Sequence, residues 1–157
     1  MAGVAVIDQL VVRLSQLGQT MATAESLTGG LVAATVVDVP GSSKVLRGGL
    51  VVYATDLKHS LAGVDTGLLA TEGPVSAAVA IELARGARQR CGADWGVATT
   101  GVAGPDSQDG VPVGTVFVAV SGAGAEEVRG LNLTGDRPTI RAGAVKAALD
   151  LLAVLVG

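Results

Sequence analysis

Two hydroxyls and a carboxylate fall together in Glu25-Ser26-Leu27-Thr28-Gly29-Gly30. A short apolar run precedes this stretch and a helical pattern follows it, so Ser26 stands beside the first turn of a helix. Unpaired backbone N–H groups gather at such a place and favour negative charge or an alkoxide. Ser26 is therefore a candidate nucleophile. Capping is the competing role, because Ser, Thr and Gly cluster at helix starts for local hydrogen-bonding reasons alone. Lys58 is the second chemical candidate. It falls on the first turn of a helical stretch for which Thr55 is a suitable N-cap, where a cation opposes the helix dipole. If the side chain is also desolvated, its pKa moves toward that of a neutral amine, the form a general base requires. The alternative is a solvated surface lysine.

His59 is the sole histidine and adjoins Lys58 on one turn, so the two side chains point about 100° apart. A Ser-His-Asp triad is not expected. Cys91 is the only cysteine, which excludes an intrachain disulfide and suits a reducing compartment. With one Cys and one His, a Cys/His zinc site is excluded as well. The loop Thr100-Gly101-Val102-Ala103-Gly104-Pro105-Asp106 has glycines that permit close approach of backbone to a ligand. It is neither a P-loop nor a dinucleotide fingerprint.

Helical spacing runs from Val4 to Leu17 and ends at Gly18; Thr20 to Ala24 reads as a strand and Gly30 to Val37 as a helix stopped by Pro40-Gly41. Gly49 to Ala54 reads as a buried strand, Thr66 to Ala70 as a helical turn, and Pro74 opens a helix to about Cys91. Trp95 to Thr99 is the next strand. Val113 to Ser121 and Glu126 to Leu133 form an antiparallel hairpin around Gly122-Ala123-Gly124-Ala125. A final helix starts at Asp136 or Thr139 and runs to Val156. Its late residues are apolar nearly all round, which calls for cover under the domain or in a subunit interface. The alternation predicts an α/β fold with helices on both faces of a mixed, mainly five-stranded sheet, a three-layer α/β/α arrangement.

The 157 residues suit one domain spanning 1–157. A hydrophobic fraction of 49% with 2% aromatic means a core of Val, Leu and Ala. So few aromatics argue against single-stranded nucleic-acid binding, and a net charge of -3 argues against duplex binding. The N-terminus has no basic n-region, and no membrane span is evident. The expectation is a soluble cytoplasmic protein that binds neither nucleic acid nor membrane.

Ala24-Glu25-Ser26-Leu27-Thr28-Gly29-Gly30, Val39-Pro40-Gly41-Ser42-Ser43, Gly48-Gly49, and Tyr53 with Lys58 resemble the CinA C-terminal-domain family. So do Gly73-Pro74-Val75-Ser76, Thr100-Gly101-Val102-Ala103-Gly104-Pro105, Pro112-Val113-Gly114-Thr115-Val116 and Gly135-Asp136-Arg137, in the family's order over nearly the whole chain. The resemblance implies a compact α/β domain that hydrolyses the carboxamide of nicotinamide mononucleotide to nicotinic acid mononucleotide and ammonia, with no metal or organic cofactor. Without the N-terminal domain of many relatives, the chain is similar to the stand-alone deamidase. It departs from the family at Leu27, where Cys is frequent, at Ala54-Thr55, usually Ser-Asn, and at Ser107-Gln108, commonly Gly-Gly.

Read with this resemblance, Ser26 attacks the carboxamide, neutral Lys58 takes its proton, and Ser43 relays the proton or holds the lysine. The two serines can also exchange roles. Oxyanion donors would be backbone N–H groups near Ser26 to Gly30 or at Thr100-Gly101. Substrate contacts fall to Glu25, Thr28, Gly29, Tyr53, Thr100, Gly101, Arg137 and Arg141. Tyr53 would meet the pyridine or ribose, Thr100 the ribose or phosphate, and the arginines the phosphate. Glu25 would orient Lys58, bind substrate, or complement the helix dipole. A small-molecule nucleotide is the expected partner, in a homo-oligomer. A nucleotide-binding module without catalysis and an oligomeric interaction protein are the readings from other classes.

Overall fold

Alternating side chains decide the architecture. In the computed structural model, which describes residues 2–157 and side chains from Val6 onward, α1 (Ala2–Leu17), β1 (Met21–Glu25), α2 (Leu31–Val37), a 3-10 turn (Ser42–Lys44) and β2 (Leu46–Val51) form the first half. Then come α3 (Thr55–Ser60), α4 (Thr66–Glu72), α5 (Ala77–Cys91), β3 (Trp95–Gly101), β4 (Thr115–Ser121), β5 (Glu126–Asn132) and α6 (Arg137–Val156). The sheet order is β2-β1-β3-β4-β5. β1 runs parallel to β2 and β3, and β4 and β5 are antiparallel to their neighbours. The mixed five-stranded sheet and the β4–β5 hairpin are as the sequence predicts.

One face of the sheet presents Met21, Val97, Val116, Val118 and Val120 to α1, α2 and α6. The other presents Ala22, Ala24, Ala98 and Ala119 to α5. These small residues let α5 press onto the strands: a Cβ at Gly96 would lie 1.9 Å from the Ala84 carbonyl oxygen. The helices therefore form two outer layers around the sheet. Leu149, Leu151 and Leu152 of α6 are buried within the chain, whereas Val154 is 63% exposed, so its own fold covers only part of the apolar surface of that helix. Among the described residues no helix is long and apolar enough to cross a membrane.

Three boundaries differ from the sequence reading in ways that matter. β2 covers Leu46–Val51 rather than Gly49 to Ala54, because the chain leaves the ladder after the Val52 amide bonds to the Glu25 carbonyl. A glycine is required at position 49, where a Cβ would meet Thr23 Oγ1 at 2.4 Å. The carbonyls of Val52 and Tyr53 lie beyond the ladder. In α3, Ala54 occupies the N-cap and makes no side-chain capping bond, so Thr55 is not the cap. α5 starts at Ala77, capped by Ser76, which leaves Pro74 and Val75 in a loop.

Candidate active site

The parallel strands β1, β2 and β3 end at one edge of the sheet, and a cleft opens there. Its lining includes Ser26 and Leu27 after β1, Tyr53, Thr55 and Lys58 after β2, and Thr100 to Gly104 at the end of β3. Pro74, Val75, Asp106, Gln108 and Arg137 complete it. The cavity volume is about 110 Å³, and the cleft is partly open to solvent.

Ser26 and Lys58 meet in this cleft. Lys58 Nζ lies 3.0 Å from Ser26 Oγ, 2.8 Å from the Val52 carbonyl oxygen and 3.2 Å from that of Tyr53. The lysine is 1% exposed and forms no ion pair with a carboxylate among the described residues. Burial without a counter-charge lowers its pKa to about 8. The expected contribution of the helix dipole is small, since α3 has only six residues and Lys58 lies in its second half. A neutral lysine has two N–H donors and one lone pair. The two carbonyls accept the donors, leaving the lone pair for the Ser26 hydroxyl. His59 points elsewhere, its Nδ1 2.8 Å from the Val64 carbonyl oxygen.

Glu25 and Ser26 are adjacent on the chain, and strand alternation sends them to opposite faces of the sheet. Glu25, 1% exposed, accepts hydrogen bonds from the amides of Gly30, Val32 and Ala33 at the start of α2 and from the hydroxyls of Thr23 and Thr28. It serves the helix dipole; it neither touches Lys58 nor lines the cleft, which corrects its assignment to substrate. Of the amides near Ser26 to Gly30 expected to hold an oxyanion, that of Gly30 is taken by this carboxylate, and those of Ser26 and Gly29 bond to the carbonyls of Thr99 and Ser26. By contrast, the amides of Leu27 and Thr28 have no hydrogen-bond partner among the described residues.

Other expected contacts are also redistributed. Ser43 is exposed in the 3-10 turn that precedes β2, whereas Tyr53 and Lys58 follow the far end of that strand. Six extended residues, roughly 20 Å, separate Ser43 from the cleft, so it can neither relay a proton nor hold Lys58. Thr28 is fully buried between Glu25 and Thr99. Gly29 sits outside the cleft with φ 58°, in a turn beneath Arg141. Arg141 donates through Nε to the Leu27 carbonyl at 2.8 Å and through Nη2 to that of Thr28 at 3.3 Å. It holds the Ser26–Gly29 turn instead of lining the cleft, because its guanidinium is taken up by backbone.

Tyr53, Thr100, Gly101 and Arg137 do line the cleft. Tyr53 is 62% exposed, and its hydroxyl accepts from Arg137 Nη2 at 3.2 Å. Arg137 Nη1 donates at 2.5 Å to the Gly104 carbonyl, tying α6 to the glycine loop. The Thr100 hydroxyl donates to the Pro74 carbonyl at 2.7 Å. Gly101 must lack a side chain, since a Cβ would lie 2.7 Å from the Thr115 carbonyl oxygen. Thr55, Pro74, Val75, Asp106 and Gln108 also line the cleft and were not among the residues expected to contact substrate. Asp106 had a legible signal, a charge directly after the glycine loop. Among the described residues no group of three or more His, Cys, Asp and Glu side chains could hold a metal ion.

Known proteins resemble this chain over most or all of its length. A CinA-like protein of Frankia casuarinae is 52% identical over 139 residues, 88% of this chain and 32% of that protein. One from Geobacter sulfurreducens is 47% identical over 148 residues, 93% of this chain and 36% of its own. This chain thus spans about a third of the length of these curated relatives. Among solved structures, the competence/damage inducible protein CihA from Agrobacterium tumefaciens superimposes with a TM-score of 0.96 at 34% identity, covering 100% of this chain and 97% of that one. A competence or damage-inducible protein from Enterobacter asburiae gives 0.95 at 29% identity, over 99% of this chain and 98% of its own. The family model described as CinA C-terminal domain matches residues 4–156, and with these likenesses it establishes that the chain belongs to the CinA C-terminal domain family.

Proposed function

We propose that the cleft hydrolyses the carboxamide of nicotinamide mononucleotide, releasing nicotinic acid mononucleotide and ammonia. The observation that carries this reading is the 3.0 Å contact between Ser26 Oγ and a lysine buried without a counter-charge. Such a pair supplies a nucleophile and a base in one hydrogen bond. Ser26 Oγ attacks the carboxamide carbon while neutral Lys58 takes the hydroxyl proton. The free amide of Leu27, next to the nucleophile, is the leading donor to the oxyanion. As the intermediate collapses, the lysine ammonium gives its proton to the departing nitrogen and ammonia leaves. Water then attacks the seryl ester, Lys58 again accepts a proton, and the acid and free serine form.

Support for a nucleotide comes from the lining. Tyr53 offers an exposed ring for the pyridine, and Arg137 offers a guanidinium beside it for the phosphate. The test is ammonia release from nicotinamide mononucleotide by the purified, folded protein. Turnover is expected for the wild type and loss of it for Ser26→Ala. Lys58→Arg is also expected to be inactive, because arginine cannot deprotonate. Mass spectrometry of a quenched reaction should find the acyl group on Ser26. No ammonia from wild-type protein that binds the nucleotide would replace hydrolysis with nucleotide binding alone.

A further inference from the structure

Three charged side chains line the cleft. Lys58 is buried at its floor, while Asp106 and Arg137 are exposed toward solvent. Arg137 is held by two uncharged acceptors, the Gly104 carbonyl and the Tyr53 hydroxyl, so its positive charge is not neutralised. Asp106 has neither an ion-pair nor a hydrogen-bond partner among the described residues. The segment that carries it is fixed on both sides. Gly104 is tied to Arg137 on one side, and on the other Gln108 and Val111 exchange backbone hydrogen bonds of 3.1 and 2.8 Å. An uncompensated carboxylate and an uncompensated guanidinium therefore share one small cleft, together with the exposed ring of Tyr53.

We infer that Asp106 and Arg137 select a ligand with separated charges, and that Asp106 is the specificity residue that reads the positive charge of an N-substituted pyridinium ring. The inference rests on the proposed pyridine-nucleotide reading. An anion set against Arg137 leaves Asp106 to balance a cation, and a quaternary ring nitrogen carries a charge that no proton transfer removes. The Tyr53 ring face adds attraction for the same cation. Lys58 in its neutral form opposes neither group. A neutral ring with the same carboxamide, ribose and phosphate would lose the Asp106 contribution and keep the rest.

The experiment compares nicotinamide mononucleotide with its 1,4-dihydro form, whose ring is neutral. Dissociation constants are measured by titration calorimetry on Ser26→Ala protein, with and without Asp106→Asn. Asp106 is exposed and bonded to nothing within the described residues, so its amide variant is expected to fold. Asp106→Asn should weaken the pyridinium form roughly three- to ten-fold. The dihydro form should bind unchanged. Asp109→Asn, on the same loop but outside this cleft, should alter neither ligand. Equal weakening of both ligands, tightening of either, or failure of both to bind would overturn the inference. Ammonia release by the protein with Ser26 intact is read separately. Discrimination without ammonia supports the charge selection while removing the hydrolysis reading; ammonia without discrimination removes the charge selection alone.

Discussion

Lys58 is unusual at the residue scale because its environment favours the uncharged form while its hydrogen bonds remain satisfied. Desolvation moves its pKa from 10.5 to about 8. A base with that value is mostly protonated at pH 7 and mostly free above pH 8, so kcat/KM is expected to rise about ten-fold per pH unit below 8 and level off above it. Steady-state assays between pH 6 and 10 check this; a flat profile across pH 8 would remove Lys58 as the base. The sign for stability is the same. A lysine whose folded pKa lies below its unfolded value binds fewer protons when folded, so stability rises from about pH 8 to 10.5 through this group. At neutral pH the buried lysine is therefore a cost to the fold, and its retention in the cleft accords with a chemical use.

At the scale of elements, two arginines four residues apart on α6 divide positioning from binding. Arg141 holds the carbonyls of Leu27 and Thr28, while Arg137 faces the cleft. Arg141→Ala is expected to lower kcat roughly ten-fold with little change in KM, because the turn carrying Ser26 loses its brace. Arg137→Ala is expected to raise KM roughly ten-fold, because a phosphate loses its partner. Initial-rate kinetics separate the two, and the reverse pattern would exchange their roles. β2 makes a related point. Its early end is what releases the carbonyls of Val52 and Tyr53 to the lysine, so a strand boundary becomes part of the site.

Across the whole molecule, the scarcity of aromatics becomes a close-packed interface of small residues. α5 lies on alanines and on Gly96, where any side chain would strike the Ala84 carbonyl at 1.9 Å and the Arg88 amide at 2.9 Å. Gly96→Ala is expected to cost about 2–4 kcal/mol. That corresponds to a Tm about 5–15 °C lower by calorimetry. Gly124→Ala, in the hairpin loop with open space around it, should leave Tm unchanged. Equal effects of the two substitutions would mean that α5 is not pressed on the sheet as described. Because β3 carries Thr100 and Gly101 into the cleft, the same packing also sets the position of the glycine loop.

The order of elements, the mixed sheet, the hairpin and the candidacy of Ser26, Lys58 and the Gly101 loop, which meet in one cleft, were all legible in the sequence. Each is written in a local pattern: apolar periodicity, a glycine stop, a hydroxyl before a helix. The first strand was legible as a short apolar run ending at Ala24, and only its observed extent through Glu25 sends Glu25 and Ser26 to opposite faces. What lies on either side of a strand is a different matter. Ser43 and Lys58 flank the same strand, and only folding shows that one is at the wrong end and the other is buried. Arg137 and Arg141 are alike in sequence and differ in what packs against them. Desolvation, the partner of a guanidinium and the freedom of the Asp106 carboxylate depend on neighbours distant along the chain, so the tertiary structure alone decided them.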